Sequence, residues 1–243
     1  MKKKGYSILA GVILLLFWQL LSMKIDKEIF LPSPGNTLKA LFHLLQTKEF
    51  YLSVGGSCLR IMSGFVLALA AGTLLAVSAA CVSLLRAVFD LAMQLMKAIP
   101  VASFVILVLL WIESAQLAIV ISFLMVLPVV YTNVRDGIGQ TDAKLLEMAA
   151  VFRLSHWKRI RYIYAPAVLP YFVSACSVGL GFCWKAGIAA EVIGLPERSI
   201  GEQLYEAKLY LMTPELFAWT AVIVMVSVLF EKLVMRLIRR LAK

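Results

Sequence analysis

The sequence predicts an all-α polytopic membrane protein with about six transmembrane helices. Hydrophobic residues make up 62% of its 243 residues and mean hydropathy is +0.90, whereas soluble domains hold roughly 45–50% apolar residues. The excess is gathered in long blocks, Ile8–Trp18, Val66–Ala80, Val101–Ile112 and Trp219–Phe230. A helix that crosses a bilayer needs about 20 mainly apolar residues. Six spans with their loops use the whole chain, so residues 1–243 read as one transmembrane domain with no room for a separate soluble one.

The first span is placed at 6–23. Lys2, Lys3 and Lys4 before an apolar run resemble a signal peptide, but the run is long and Lys24-Ile25-Asp26-Lys27 offers no small-x-small cleavage site. It reads as an uncleaved span. Residues 24–60 form a loop region containing Leu31-Pro32-Ser33-Pro34, with a short amphipathic helix over Thr37–Leu45. Span two runs Ile61–Leu84, span three Met96–Ile112 and span four Leu117–Val134. Pro100 and Pro128 are expected to bend the last two, which membrane helices tolerate. Residues 135–164 are polar and basic. Span five is Ala165–Ala190, a polar connection covers 191–214, and span six is Glu215–Leu237.

The net charge of +10 would suggest nucleic-acid binding in a soluble protein. Here it is explained by the excess of Lys and Arg on the cytoplasmic side of membrane proteins, and no nucleic-acid partner is expected. With six spans and an inner N-terminus, 15 Lys and Arg fall inside and 7 outside. Both termini and residues 135–164 are therefore assigned to the cytoplasm. The cysteines Cys58, Cys81, Cys176 and Cys183 form no C-x-x-C pair and read as packing residues. His43 and His156 have no metal-ligand partner at usable spacing, so no metal or cofactor is expected.

Residues 142–164 place Leu145, Met148, Val151, Phe152, Trp157, Ile160 and Ile163 near helical spacing, broken around Leu154-Ser155. Ser155 suits the N-cap of a second helix. The segment thus reads as a short helix, a turn and a helix leading to Pro166. Periodicity alone leaves two uses open: docking on a partner, or lying on anionic lipid.

Glu147-Met148-Ala149, Arg153 and Ile163-Tyr164-Ala165-Pro166 match the spacing of a cytoplasmic motif, E-A-A, three residues, Gly, nine residues, I-x-L-P. In this the chain resembles the permease subunits of binding-protein-dependent ABC importers. Met148, Arg153 and Ala165 depart from the motif's Ala, Gly and Leu. Arg153 at the glycine position suggests a turn that no longer needs positive φ, or a different contact with the partner. The nitrate/sulfonate/taurine branch is resembled over nearly the full length. Leu31-Pro32-Ser33-Pro34, Ser57-x-x-Arg60-x-x-x-Gly64-Phe65, Lys97-Ala98-Ile99-Pro100, Gly179-Leu180-Gly181-x-x-Trp184, Ala190-Glu191-x-x-Gly194 and Ile200-Gly201 occur in order.

The resemblance implies a multi-pass protein of a prokaryotic inner membrane that is not an enzyme. It carries no Gly-x-x-x-x-Gly-Lys-Ser/Thr loop. A separate ABC ATPase, an extracytoplasmic solute-binding protein and a second permease copy, as a homodimer within membrane lipid, would complete it. The segment 135–166 would couple to the ATPase through Glu147, Met148, Ala149, Val151 and Phe152, with Glu147, Arg153 and Lys158 complementing charge. The solute implied is a small anion such as nitrate, a sulfonate or a taurine-like compound. The alternative is a self-contained secondary transporter or channel; no convincing repeat between the halves supports it.

Lys185, beside Trp184 in span five, either faces the translocation path and attracts the anion or snorkels to the surface. Ser177 and Glu191 are further path candidates. Glu191 lies six residues after Lys185, about 240° around an ideal helix, so the two do not pair. The small residues Ser174, Ser177, Gly179 and Gly181 read as packing, pore lining or a dimer contact. Glu202, Glu206 and Lys208 begin a short external helix suited to the solute-binding protein. The five tryptophans, mostly near span ends, read as interfacial anchors.

Overall fold

The computed structural model describes residues 2–241, and among them every regular element is helical. The helices are α1 (Lys2–Ile25), α2 (Pro34–Leu44), α3 (Lys48–Cys81), α4 (Ser83–Ala98), α5 (Val101–Val108), α6 (Ser114–Gly139), α7 (Ala143–Val151), α8 (His156–Arg159), α9 (Ala165–Gly194), α10 (Ile200–Leu209) and α11 (Thr213–Leu241), with a π turn at Ile160–Tyr164 joining α8 to α9. Three helical runs are long and apolar enough to cross a membrane: Lys48–Cys81, Ser114–Gly139 and His156–Gly194. The bent pair α4–α5 makes four if it is one span, and α1 carries a shorter apolar stretch, Leu9–Ile25. Helix therefore occupies all six expected positions, α11 filling the last.

Two span edges differ from expectation. The helix of span two begins at Lys48, not Ile61, with Thr47 as N-cap accepting from Phe50 N. The polar residues of 48–60 suggested a loop, but Ser53 and Ser57 are buried in helix packing. Span three is not a bent helix over Met96–Ile112 but two helices meeting at 102°. Pro100 disfavours helical φ/ψ at the residue before it, and Ile99 is extended at φ −79°, ψ 128°. Pro128, by contrast, lies within the unbroken α6.

The Leu31-Pro32-Ser33-Pro34 segment anchors the first helix. Trp18 Nε1 donates to the Pro32 carbonyl at 3.1 Å and Ser22 Oγ to that of Leu31 at 3.0 Å. Ser33 then caps α2, accepting from Asn36 N at 3.2 Å, with Pro34 preset for the first helical turn.

The core is α6 sandwiched between α3 and α9. Gly64 and Gly72 of α3 meet Ile119 and Val130 of α6, so these helices run parallel; Gly179 and Gly187 of α9 meet Val126 and Ser122, so α9 is antiparallel. On α3 the seam is Gly64, Ala68, Gly72 and Ala76, all buried at four-residue spacing. Lipid supplies no hydrophobic drive between helices, so close backbone approach and dispersion hold them. Gly64 is the tightest point: a Cβ there would press into the Ile119 carbonyl.

The tryptophans do not all act as interfacial anchors. Trp111 and Trp157 are exposed, but Trp219 is buried and stacked on Phe50 at 5.3 Å, and Trp184 is buried against Phe230. Apolar volume at these helix crossings outweighs the indole's preference for the interface.

Gly64→Ala should destabilise the protein by about 1–3 kcal/mol, because the clash is with backbone and cannot relax. Gly55→Ala, on the same helix with nothing within 4 Å, should not. Thermal unfolding of the two variants in detergent checks the contrast.

Candidate functional site

Three of the sequence motifs converge on one buried carboxylate. Glu191, on α9, is 0% exposed. Its Oε2 accepts from Ser57 Oγ at 2.6 Å and from Gly201 N at 3.4 Å, and its Oε1 from Arg60 Nε at 3.1 Å. Ser57 Oγ in turn accepts from Ile200 N at 2.9 Å. Arg60 also donates to the Arg198 carbonyl at 3.0 Å. The cluster ties α3, α9 and the 195–200 connection together. That connection turns through two left-handed non-glycine residues, Leu195 at φ 50° and Arg198 at φ 53°, strain that persists only where surroundings over-determine it. Gly201 is required by proximity, since a Cβ would fall on the backbone of Glu191 and Val192. Glu191 is turned toward α3 and Gly201, with Arg60 as its ion-pair partner.

The other three path candidates lie along a groove between α9 and α11. Trp184, Lys185, Ser227 and Glu231 line a cavity of about 440 Å³. Ser177, Glu231, Lys232, Arg236 and Arg240 line a second of about 600 Å³. Lys185 is exposed while Trp184 is buried. Ser177 Oγ donates to Glu231 Oε1 at 3.3 Å across the groove. Glu231 was not singled out in the sequence because it sits one residue before Lys232 near the end of the last span, where charge is ordinary. Only the α9–α11 crossing brings it to Ser177.

The segment 142–166 forms a helix, a tight turn and a second helix. Asp142 caps α7 by accepting from Lys144 N at 2.9 Å. α7 ends in a Schellman turn: Leu154 N bonds the Ala149 carbonyl at 2.9 Å and Arg153 N that of Ala150 at 3.0 Å. Arg153 is left-handed at φ 49°. The turn thus keeps the positive φ that a glycine would supply, and the expectation that Arg153 relaxed that requirement is overturned. Arg159, unremarked in the sequence, braces the turn by donating to the Leu154 carbonyl at 3.1 Å and the Ala149 carbonyl at 3.5 Å. Ser155 occupies the N-cap position of α8 but its hydroxyl makes no capping bond. The next helix passes Pro166 without breaking. The π turn, in which Ala165 N bonds the Ile160 carbonyl, precedes the proline that cannot donate.

Around this turn the apolar side chains are outside. Val151 is 79% exposed, Phe152 72% and Trp157 70%, and Leu145 and Met148 are also exposed. Glu147 and Lys158 are exposed beside them; Ala149 alone of the expected docking residues is buried, under the turn. At the far end, α10 carries Glu202, Glu206 and Lys208. Burial, then the neighbouring Glu202 and Glu49, push the Glu206 carboxyl upward.

Residues 68–243 match the family described as "Binding-protein-dependent transport system inner membrane component". Over almost its whole length the chain is similar to the "Putative aliphatic sulfonates transport permease protein" of Bacillus subtilis, 25% identical over 99% of this chain and 89% of that protein. It is also similar to the taurine transport system permease protein of Escherichia coli, at 23% identity over 95% of this chain and 86% of that one. A bicarbonate transport system permease protein of Synechococcus elongatus is 26% identical over 82% of this chain and 76% of its own length.

Two expectations follow from the geometry. Glu191→Ala leaves Arg60 partly buried without its counter-charge and Ser57 without its acceptor. It should cost about 3–5 kcal/mol, measured as a lower unfolding temperature and reduced accumulation in membranes. Arg153→Gly removes the Cβ penalty of the left-handed conformation and should stabilise the α7 turn by about 1 kcal/mol, measured as slower amide exchange at Arg153 and Leu154.

Proposed function

This chain belongs to the binding-protein-dependent transport system inner membrane components, as an ABC importer permease of the nitrate/sulfonate/taurine type, and on that premise we propose that it forms the translocation path for a small anion and is driven through α7 by a separate ABC ATPase. The observation that carries the ATPase contact is the exposed apolar face of Leu145, Met148, Val151 and Phe152, held by a braced turn instead of a loose loop. An amphipathic helix laid into a partner's groove uses anchors at this spacing. Glu147, Arg153 and Lys158 stand at the edge of that face and supply charge complementarity. The alternative occupant of the face, anionic lipid, is less well served, because an acidic side chain stands beside the apolar anchors.

Residues 1–243 act as one permease domain, with 135–166 as the coupling segment. Two copies form a homodimer in the lipid of a prokaryotic inner membrane, both termini in the cytoplasm. The α10 region, with Glu202, Glu206 and Lys208, receives an extracytoplasmic solute-binding protein. Lys185, Trp184 and Ser177 line the path between α9 and α11, and Glu191 holds the wall behind it. The proposed solute is a small anion such as nitrate, a sulfonate or a taurine-like compound; the sulfonate and taurine in two relatives' names and Lys185 in the groove support it. Solute recognition rests largely with the binding protein.

Phe152→Asp places a desolvated charge at the centre of the docking face. In the reconstituted importer it should weaken ATPase association by about 2 kcal/mol or more, roughly 30-fold in Kd, and remove solute-stimulated ATP hydrolysis while the permease's unfolding temperature is unchanged. Titration of purified ATPase onto the permease in nanodiscs checks this, and wild-type affinity in the variant would refute the docking site.

A further inference from the structure

The two α9–α11 cavities form one continuous strip with a single acid at their junction. Along α9 the lining residues are Ile188, Lys185, Trp184, Gly181, Leu180 and then Ser177. Along α11 they are Ile223, Val224, Ser227 and Val228, then Glu231, then Lys232, Met235, Arg236 and Arg240. Glu231 is the residue common to both cavities. Positive charge therefore lies on either side of it: Lys185 in one cavity, Lys232, Arg236 and Arg240 in the other. Among the described residues no carboxylate lies within ion-pair distance of Lys185, and Glu231 is engaged by the Ser177 hydroxyl.

Conduction requires a site attractive enough to enter and weak enough to leave. A lone lysine in a groove walled by apolar side chains attracts an anion strongly, since low-dielectric walls focus its field. Three further cations beyond it would deepen the attraction without limiting it. A carboxylate at the junction does the limiting: its field opposes that of Lys185 in the first cavity, and it stands at the threshold of the second.

Resting on the reading of this groove as the path, we propose that Glu231 is a release gate for the transported anion, a carboxylate that weakens the hold of Lys185 and separates it from the basic exit formed by Lys232, Arg236 and Arg240. Ser177 positions it by hydrogen bonding. The chemical class served is a small anion; a cation would be repelled at four of the five charged positions.

Local charge in the groove can be read without knowing the solute. A thiol introduced as Ser227→Cys, in the full-length permease in nanodiscs, is reacted with two methanethiosulfonate reagents of similar size, one ending in a sulfonate and one in a trimethylammonium. Modification at position 227 is followed by peptide mass, so the native cysteines do not interfere. The anionic reagent should react faster. Glu231→Gln should raise the anionic-to-cationic rate ratio, and Lys185→Met should lower it, each roughly five- to tenfold, as expected of one unit charge a few ångströms away in a partly wet groove. The isosteric Gln keeps an acceptor for Ser177, and unfolding temperatures verify that each variant is folded. A ratio that responds to Lys185→Met but not to Glu231→Gln would overturn the gate while leaving the path intact. No modification at position 227 would overturn the groove itself. Neither result touches the ATPase-docking reading, which stands on the Phe152→Asp titration.

Discussion

A carboxyl group with no solvent exposure is costly in a membrane bundle unless its oxygens find partners nearby. Glu191 meets that constraint with one guanidinium, one hydroxyl and one backbone N–H, drawn from α3 and from the connection after α9. The rest of the arrangement follows. α3 must extend well before its apolar stretch so that Ser57 and Arg60 can reach. The 195–200 connection must fold back so that Ile200 N finds Ser57 and Arg60 finds the Arg198 carbonyl. α9 must lie close enough to α3 for Gly187 to pack on Ile61. A polar knot thus fixes register at one end of a bundle that small-residue packing holds along its length.

The opposite end is built differently. There the chain presents helix termini instead of closing on itself, and backbone carbonyls are the groups that need satisfying. The Schellman turn after α7 uses two of them, and Arg159 answers the Leu154 and Ala149 carbonyls from the next helix. Another cluster serves α4: Asp90 accepts from Tyr131 at 2.8 Å and pairs with Arg135, with Arg86 at 3.8 Å. These contacts brace the basic end of the bundle around α7 while leaving its apolar face uncovered.

Much of this was legible in the sequence, and unevenly so. Apolar run length located helix at all six span positions, and the ordered motifs pointed to the family. The N-terminal extension of α3 was hidden because Ser57 and Arg60 look like loop residues until Glu191, some 130 positions later, gives them a partner. The break at Ile99-Pro100 could be read as a bend or a fracture, since proline's local effect is the same and only packing decides the angle. Arg153 misled for a different reason. A non-glycine at a glycine position argues for changed backbone, but two backbone hydrogen bonds and the Arg159 brace hold the old conformation regardless. Glu231 was invisible because its meaning depends on which helix crosses it.

The helical run from His156 to Gly194 is 39 residues long, about 58 Å of nearly continuous rod. One end carries the braced turn; the other carries Glu191. Lys185 lies about 30 Å beyond the π turn. Such a rod behaves as a lever whose softest point is that π turn, where the hydrogen-bond pattern is already widened and proline follows. A tilt of about 5° there displaces the position of Lys185 by roughly 2.5 Å over that length. Movement at one end of the rod is thus passed on to side chains near the other.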